Sequence, residues 1–157
     1  MSVRPSVAST LRRPADEVAD LPNYISCFTN LRHLTFADLQ PGQKDHYKHN
    51  WGGKSFAWVH SAIAALNSPI THLTIEVLVR QPADLHAVDW MAIDVLLSTR
   101  EVLQSLVRVS VVFLDRVEDE ERDPKSIACP AAIRRQMPLT LMKGLLSIVT
   151  RGPKFHP

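Results

Sequence analysis

The sequence predicts an α/β chain folded as a short solenoid arc, with about four parallel strands on one side and helices on the other. The first observation is a hydrophobic pattern, Φ-x-x-Φ-x-Φ, that occurs four times: Leu31-Arg-His-Leu34-Thr-Phe36, Ile70-Thr-His-Leu73-Thr-Ile75, Leu106-Val-Arg-Val109-Ser-Val111 and the weaker Leu145-Leu-Ser-Ile148-Val-Thr150. The second is its spacing: the copies begin at 31, 70, 106 and 145, so the steps are 39, 36 and 39 residues. A near-constant period of this size marks strand-plus-helix units that stack on one another. The third is what lies between the copies: helical periodicity rather than hairpin turns, which makes neighbouring strands parallel with right-handed crossovers.

Residues 1–14 hold Pro5, Pro14 and several Ser, Thr and Arg, and read as a flexible lead-in. Residues 15–150 form a single repeat domain, and 151–157 a tail. From Ala15 to Phe28, Val18, Leu21, Ile25 and Phe28 recur at three- and four-residue steps, which predicts a helix kinked near Pro22 and placed to cap the first strand, 31–37. The Gly-, Pro-, Asn- and His-rich stretch 38–53 reads as a loop. A helix follows from about Ser55 to Leu66 with Phe56, Val59, Ile63 and Leu66 on one face, and Asn67-Ser68-Pro69 stops it. The second strand is Ile70–Val79, and Gln81–Asp84 is a turn. Asp89 is placed to N-cap a helix over Trp90–Leu97, since its carboxylate can accept from the orphan N–H groups there. Leu106–Leu114 is the third strand. Val117–Lys125 is an acidic surface loop, and a helix runs from about Pro130 to Gln136. Met137-Pro138 interrupts it before Leu139–Lys143, Gly144 supplies a left-handed C-terminal cap, and Leu145–Thr150 is the last strand.

Composition narrows the function classes. The 157 residues and 45% hydrophobic content suit one domain with an ordinary core. A net charge of +2 is too small to imply nucleic-acid or membrane binding. No window approaches the roughly 18 apolar residues of a membrane span. Val3-Arg-Pro-Ser-Val-Ala-Ser-Thr has no apolar signal-peptide core. Cys27 and Cys129 have neither a CxxC partner nor disulfide-framework spacing, so they read as reduced, small hydrophobes. Cytoplasm or nucleus is the expected location.

Leu31-Arg-His-Leu34-Thr-Phe36, Asp89-Trp90-Met-Ala-Ile93-Asp94-Val-Leu96-Leu97-Ser98 and Leu106-x-x-Val109-Ser-Val111 resemble the leucine-rich-repeat region of fungal F-box-like proteins. Met137-Pro138-Leu139 through Gly144-Leu145-Leu146-Ser-Ile148 resembles that family's last repeat, and the likeness spans roughly residues 28–150. The resemblance implies a leucine-rich-repeat-like arc that selects the substrate of a ubiquitin ligase. Residues 1–30 hold only Leu21-Pro22 of an F-box, so the resemblance extends to partner selection and not to binding a ligase adaptor.

Alternate strand residues share a face. With the Φ positions inward, His33, His72, Arg108 and Ser147 make one outward row, and Thr35, Thr74, Ser110 and Val149 the next. His33, His72 and Arg108 are therefore candidate contacts for an acidic or phosphorylated protein segment. Trp51, in a Gly-rich loop, is a candidate exposed aromatic anchor. Trp90 reads as a core plug, and Trp58 as flanking the core.

The rival reading is a small P-loop nucleotide-binding protein using Gly53-Lys54-Ser55 and Asp115. A P-loop needs G-x-x-x-x-G-K-[ST], and Lys48 stands where the first glycine belongs. His46, His49 and His60 lack a nearby cysteine or a fourth ligand for zinc. There is no G-x-S-x-G elbow, and Asp84, Asp89 and Asp94 do not by themselves make an acid–base pair. The expectation is a binding module, not an enzyme, without cofactor.

Overall fold

Every run with the Φ-x-x-Φ-x-Φ pattern forms a strand. The computed structural model describes residues 7–12, 21–39, 57–79, 82–114 and 125–151. In it Val7–Arg12 (β1), Leu31–Leu39 (β2), His72–Leu78 (β3), Arg108–Leu114 (β4) and Leu146–Arg151 (β5) pair as one sheet in the order β1-β2-β3-β4-β5. All four pairings are parallel. Between them lie helices Leu21–Ser26 (α1), Ala57–Ala64 (α2), Trp90–Thr99 (α3), Lys125–Gln136 (α4) and Pro138–Met142 (α5), with short 3-10 turns at Pro82–Ala87 and Glu101–Leu103.

Leu34, Phe36, Leu73, Ile75, Val109 and Val111 are fully buried in one cluster with Ile25 of α1, Val59 and Ile63 of α2, Trp90, Ile93 and Leu97 of α3, and Ile133 of α4. Ile148 packs against the same cluster. The helices thus cover one face of the sheet, and the predicted inward set shares one core. Trp90 is its largest fully buried side chain, and its Nε1 donates to the Leu85 carbonyl at 3.0 Å.

The helix ends are closed by local chemistry. Asp89 N-caps α3, accepting from the Ala92 N–H at 3.0 Å. Gly144, at φ 69°, closes α5: its N–H reaches Leu141 O at 2.9 Å, and the Leu145 N–H reaches Thr140 O at 3.1 Å. Three further side chains donate from one unit to the one before it. Asn67 donates to Ser26 O at 3.4 Å, Arg100 to Ile63 O at 3.3 Å and to Ala64 O, and Lys143 to Ser98 O at 3.0 Å. In each case a residue that follows a helix supplies a donor to carbonyls near the end of an earlier one: α1 for Asn67, α2 for Arg100 and α3 for Lys143.

Three expectations are corrected. The lead-in contains an edge strand, β1, pairing with β2 (Ser9 beside Leu34, Leu11 beside Phe36). Its Val-Ala-Ser-Thr-Leu-Arg run is too polar to show the repeat pattern, and the open edge of β2 supplies the pairing that its own sequence does not announce. The last strand sits two residues from the expected register: Val109 pairs with Leu146 and Val111 with Ile148. A shift of two preserves facing, so the inward pattern alone cannot detect it. Finally, α4 begins at Lys125 rather than Pro130, leaving Pro130 inside the helix.

Candidate interaction face

The face of the sheet opposite the described helices carries the outward residues of β2 to β5. His33, His72 and Arg108 stand side by side on three neighbouring strands, as the sequence predicts. The next row is Thr35, Thr74, Ser110 and Ser147, so Ser147 moves out of the histidine row into the hydroxyl row. Val149 leaves that hydroxyl row and pairs with Val112.

His33 is exposed, His72 half-buried and Arg108 exposed. The two imidazoles stack, with ring centroids 4.5 Å apart and planes inclined by 29°. Thr71 fixes the second ring. Its hydroxyl donates to the Arg32 carbonyl at 3.1 Å and lies 3.0 Å from Nδ1 of His72. Further along the strands Glu76 and Arg151 pair at 3.6 Å, reaching from β3 to β5 across β4. Ala37, Leu78 and Val112 occupy outward positions in that region, yet are buried apart from the main core. The polar part of the open face therefore lies toward the starts of the strands.

Trp51, Gly53, Lys54, Ser55 and Asp115 lie outside the described residues, as do His46 and His49. Among the described residues no group of three His, Cys, Asp or Glu side chains is arranged to hold a metal. No helix among them is long and apolar enough to cross a membrane. Cys27 is exposed and Cys129 buried; burial raises the Cys129 thiol pKa, and the nearby Asp84 charge adds to the rise.

Two features go beyond the sequence reading. Asp94 is buried, its carboxylate accepting from the Leu139 N–H and the Thr140 N–H at 2.8 Å each and from the Thr140 hydroxyl. It caps α5 from the neighbouring helix, a structural use of a carboxylate rather than a catalytic one. A shallow groove of about 420 Å³ lies between α2 and α3, lined by His60, Asp89, Met91, Val95, Leu96 and Thr99 among others. Met91 and Val95 are exposed large apolar residues on α3, outside its buried stripe Trp90/Ile93/Leu97.

Comparison with known proteins gives no match to any family model, curated protein or solved structure.

Proposed function

We propose that the chain is a protein-interaction module, a leucine-rich-repeat-like arc whose open sheet face receives an acidic segment of a partner, in the role of the substrate-recognition part of an F-box-type ubiquitin-ligase receptor. The observation that carries this reading is the His33–His72–Arg108 row, three nitrogen-bearing side chains in register on adjacent strands of an uncovered face. Parallel strands lie about 4.8 Å apart, so an extended segment crossing them meets one such side chain per strand. Arg108 offers a bidentate contact for a carboxylate or phosphate. The arc is supported by strands in sequential order, by offsets of 39, 36 and 37 residues (Leu34 to Leu73, Val109 and Leu146), and by the unit-to-unit bonds at the helix ends.

The same strand order weighs against the nucleotide-binding alternative built on Gly53-Lys54-Ser55 and Asp115. Open α/β sheets bind nucleotides where the strand order reverses, and the order β1-β2-β3-β4-β5 has no reversal.

The test is affinity capture from the source cell with the wild-type chain and with a variant carrying His33→Ala, His72→Ala and Arg108→Ala. A partner retained by the first and lost by the second supports the reading, and ligase adaptors in the captured set support the receptor role. Identical captured sets would move the recognition surface elsewhere. Magnesium-ATP is added separately in a thermal-shift assay: stabilisation by mass action would favour the nucleotide reading.

A further inference from the structure

We infer that the His33–His72–Arg108 row is a binding site for a phosphorylated side chain of the partner, and that it takes up a proton as the phosphate enters. This rests on the reading of the open face as the recognition surface.

The argument starts at Thr71. A threonine hydroxyl has one proton, and here it is directed to the Arg32 carbonyl at 3.1 Å. The oxygen's lone pair is left to accept from Nδ1 of His72 at 3.0 Å. The neutral ring then carries its single proton on Nδ1 and turns a bare lone pair, Nε2, away from Thr71. An anion approaching from the open face meets a donor at Nε2 only when the ring has gained a second proton.

The neighbours decide when that happens. His72 lies between His33, stacked at 4.5 Å, and Arg108 on the next strand. On its other side His33 is paired with Ala8 of β1, which has no ionisable group. The next row holds Thr10, Thr35, Thr74, Ser110 and Ser147, none of them ionisable. The nearest carboxylate along β3, Glu76, is already paired with Arg151 at 3.6 Å. A proton on His72 thus faces a permanent cation and a second imidazole, with no free carboxylate in the adjoining rows to offset it. An anion entering beside the ring favours its charged form.

The charge count favours phosphate over carboxylate. One carboxylate is matched by Arg108 alone. A phosphate monoester carries a charge of nearly −2 near neutral pH and three acceptor oxygens, so it draws a second cation from the stack.

Sulfate is the clean probe, because it remains a dianion throughout the pH range in which imidazoles titrate. Its affinity is measured by calorimetry between about pH 5.5 and pH 8, in pairs of buffers with different ionisation enthalpies, and a phosphoserine peptide is compared with its glutamate counterpart. The expected result is affinity rising toward tenfold for each pH unit of acidification, uptake of about one proton per sulfate, and preference for phosphoserine over glutamate. Arg108→Ala should weaken binding at every pH and keep the slope. The combined variant His33→Gln, His72→Gln should bind with the slope abolished. Unchanged affinity across the range, a slope that persists in the double glutamine variant, or no preference for phosphoserine would overturn the inference while leaving the interaction role standing. So would absence of binding by both sulfate and phosphoserine peptide. Capture of no partner by the wild-type chain would instead remove the interaction role itself, and identical captured sets would move the recognition surface elsewhere.

Discussion

Replacing Asp94 by alanine tests how the last helix is held. The side chain is 2% exposed and supplies acceptors for two backbone N–H groups and one hydroxyl. Thr140 is 1% exposed, so its N–H finds no water when the carboxylate is gone, a loss of about 1–3 kcal/mol for an unsatisfied buried donor. Leu139 is 38% exposed and regains solvent, so its bond counts for about 0.5–1.5 kcal/mol. The Thr140 hydroxyl adds about 1 kcal/mol. Asp94→Ala should therefore destabilise by about 4 kcal/mol, or lower Tm by about 8–16 °C in a domain of this size. Asp94→Asn keeps an acceptor for Thr140 but sets an amide N–H against the Leu139 N–H, so it should cost about half as much. Urea unfolding reads both as a shift in midpoint at constant slope, and hydrogen exchange should quicken at Leu139 and Thr140 before other amides. An Asp94→Ala cost below about 1 kcal/mol, or alanine and asparagine variants of equal stability, would refute the capping account.

Leu73→Ala, at a fully buried position on the central strand β3, should cost about 2–5 kcal/mol by chemical denaturation; a value near zero would mean the core can collapse around it. Deleting residues 1–28 removes β1 and α1 and bares the edge of β2, so the shortened chain should dimerise or aggregate in sedimentation experiments. A soluble monomer of unchanged stability would show that this edge needs no cover. Arg108→Ala should weaken partner binding by at least about 1 kcal/mol, yet leave Tm almost unchanged because the side chain is exposed; a fall in both would make Arg108 structural.

Where the sequence was readable, the reason was period. Leu34/Phe36, Leu73/Ile75 and Val109/Val111 alternate cleanly with polar residues, which placed His33, His72 and Arg108 in one row before any coordinates. Period fails where it is degenerate or diluted. At Leu145–Thr150 two registers differing by two residues bury the same face, and pairing with β4 selects between them. At Val7–Arg12 a polar strand borrows its order from its neighbour. The burial of Asp94 is legible in the spacing: Trp90, Ile93, Asp94 and Leu97 fall at the i, i+3, i+4 and i+7 positions of the buried stripe. A carboxylate on that stripe needs a buried donor set, and the helix break at Met137-Pro138 provides one. The stacking of His33 on His72 depends on side-chain rotation, which spacing cannot report.

The three donors that reach back to the preceding helix end bear on how the molecule comes apart. Asn67, Arg100 and Lys143 each fasten one unit to the one before it, and helix contacts likewise run between neighbours, α1 with α2, α2 with α3, and α3 with α4 and α5. In a stack of the proposed kind, stability would propagate by nearest-neighbour coupling and opening would begin at the ends. The C-terminal strand is less enclosed than the central ones: Leu146 and Ile148 are only partly covered, whereas Leu73, Ile75, Val109 and Val111 are fully enclosed. Fraying should therefore reach β5 and α5 before β3 and β4, with Lys143 released ahead of Arg100. A partner gripping β2, β3 and β4 would clamp the slow-opening centre while leaving that loose end free to exchange.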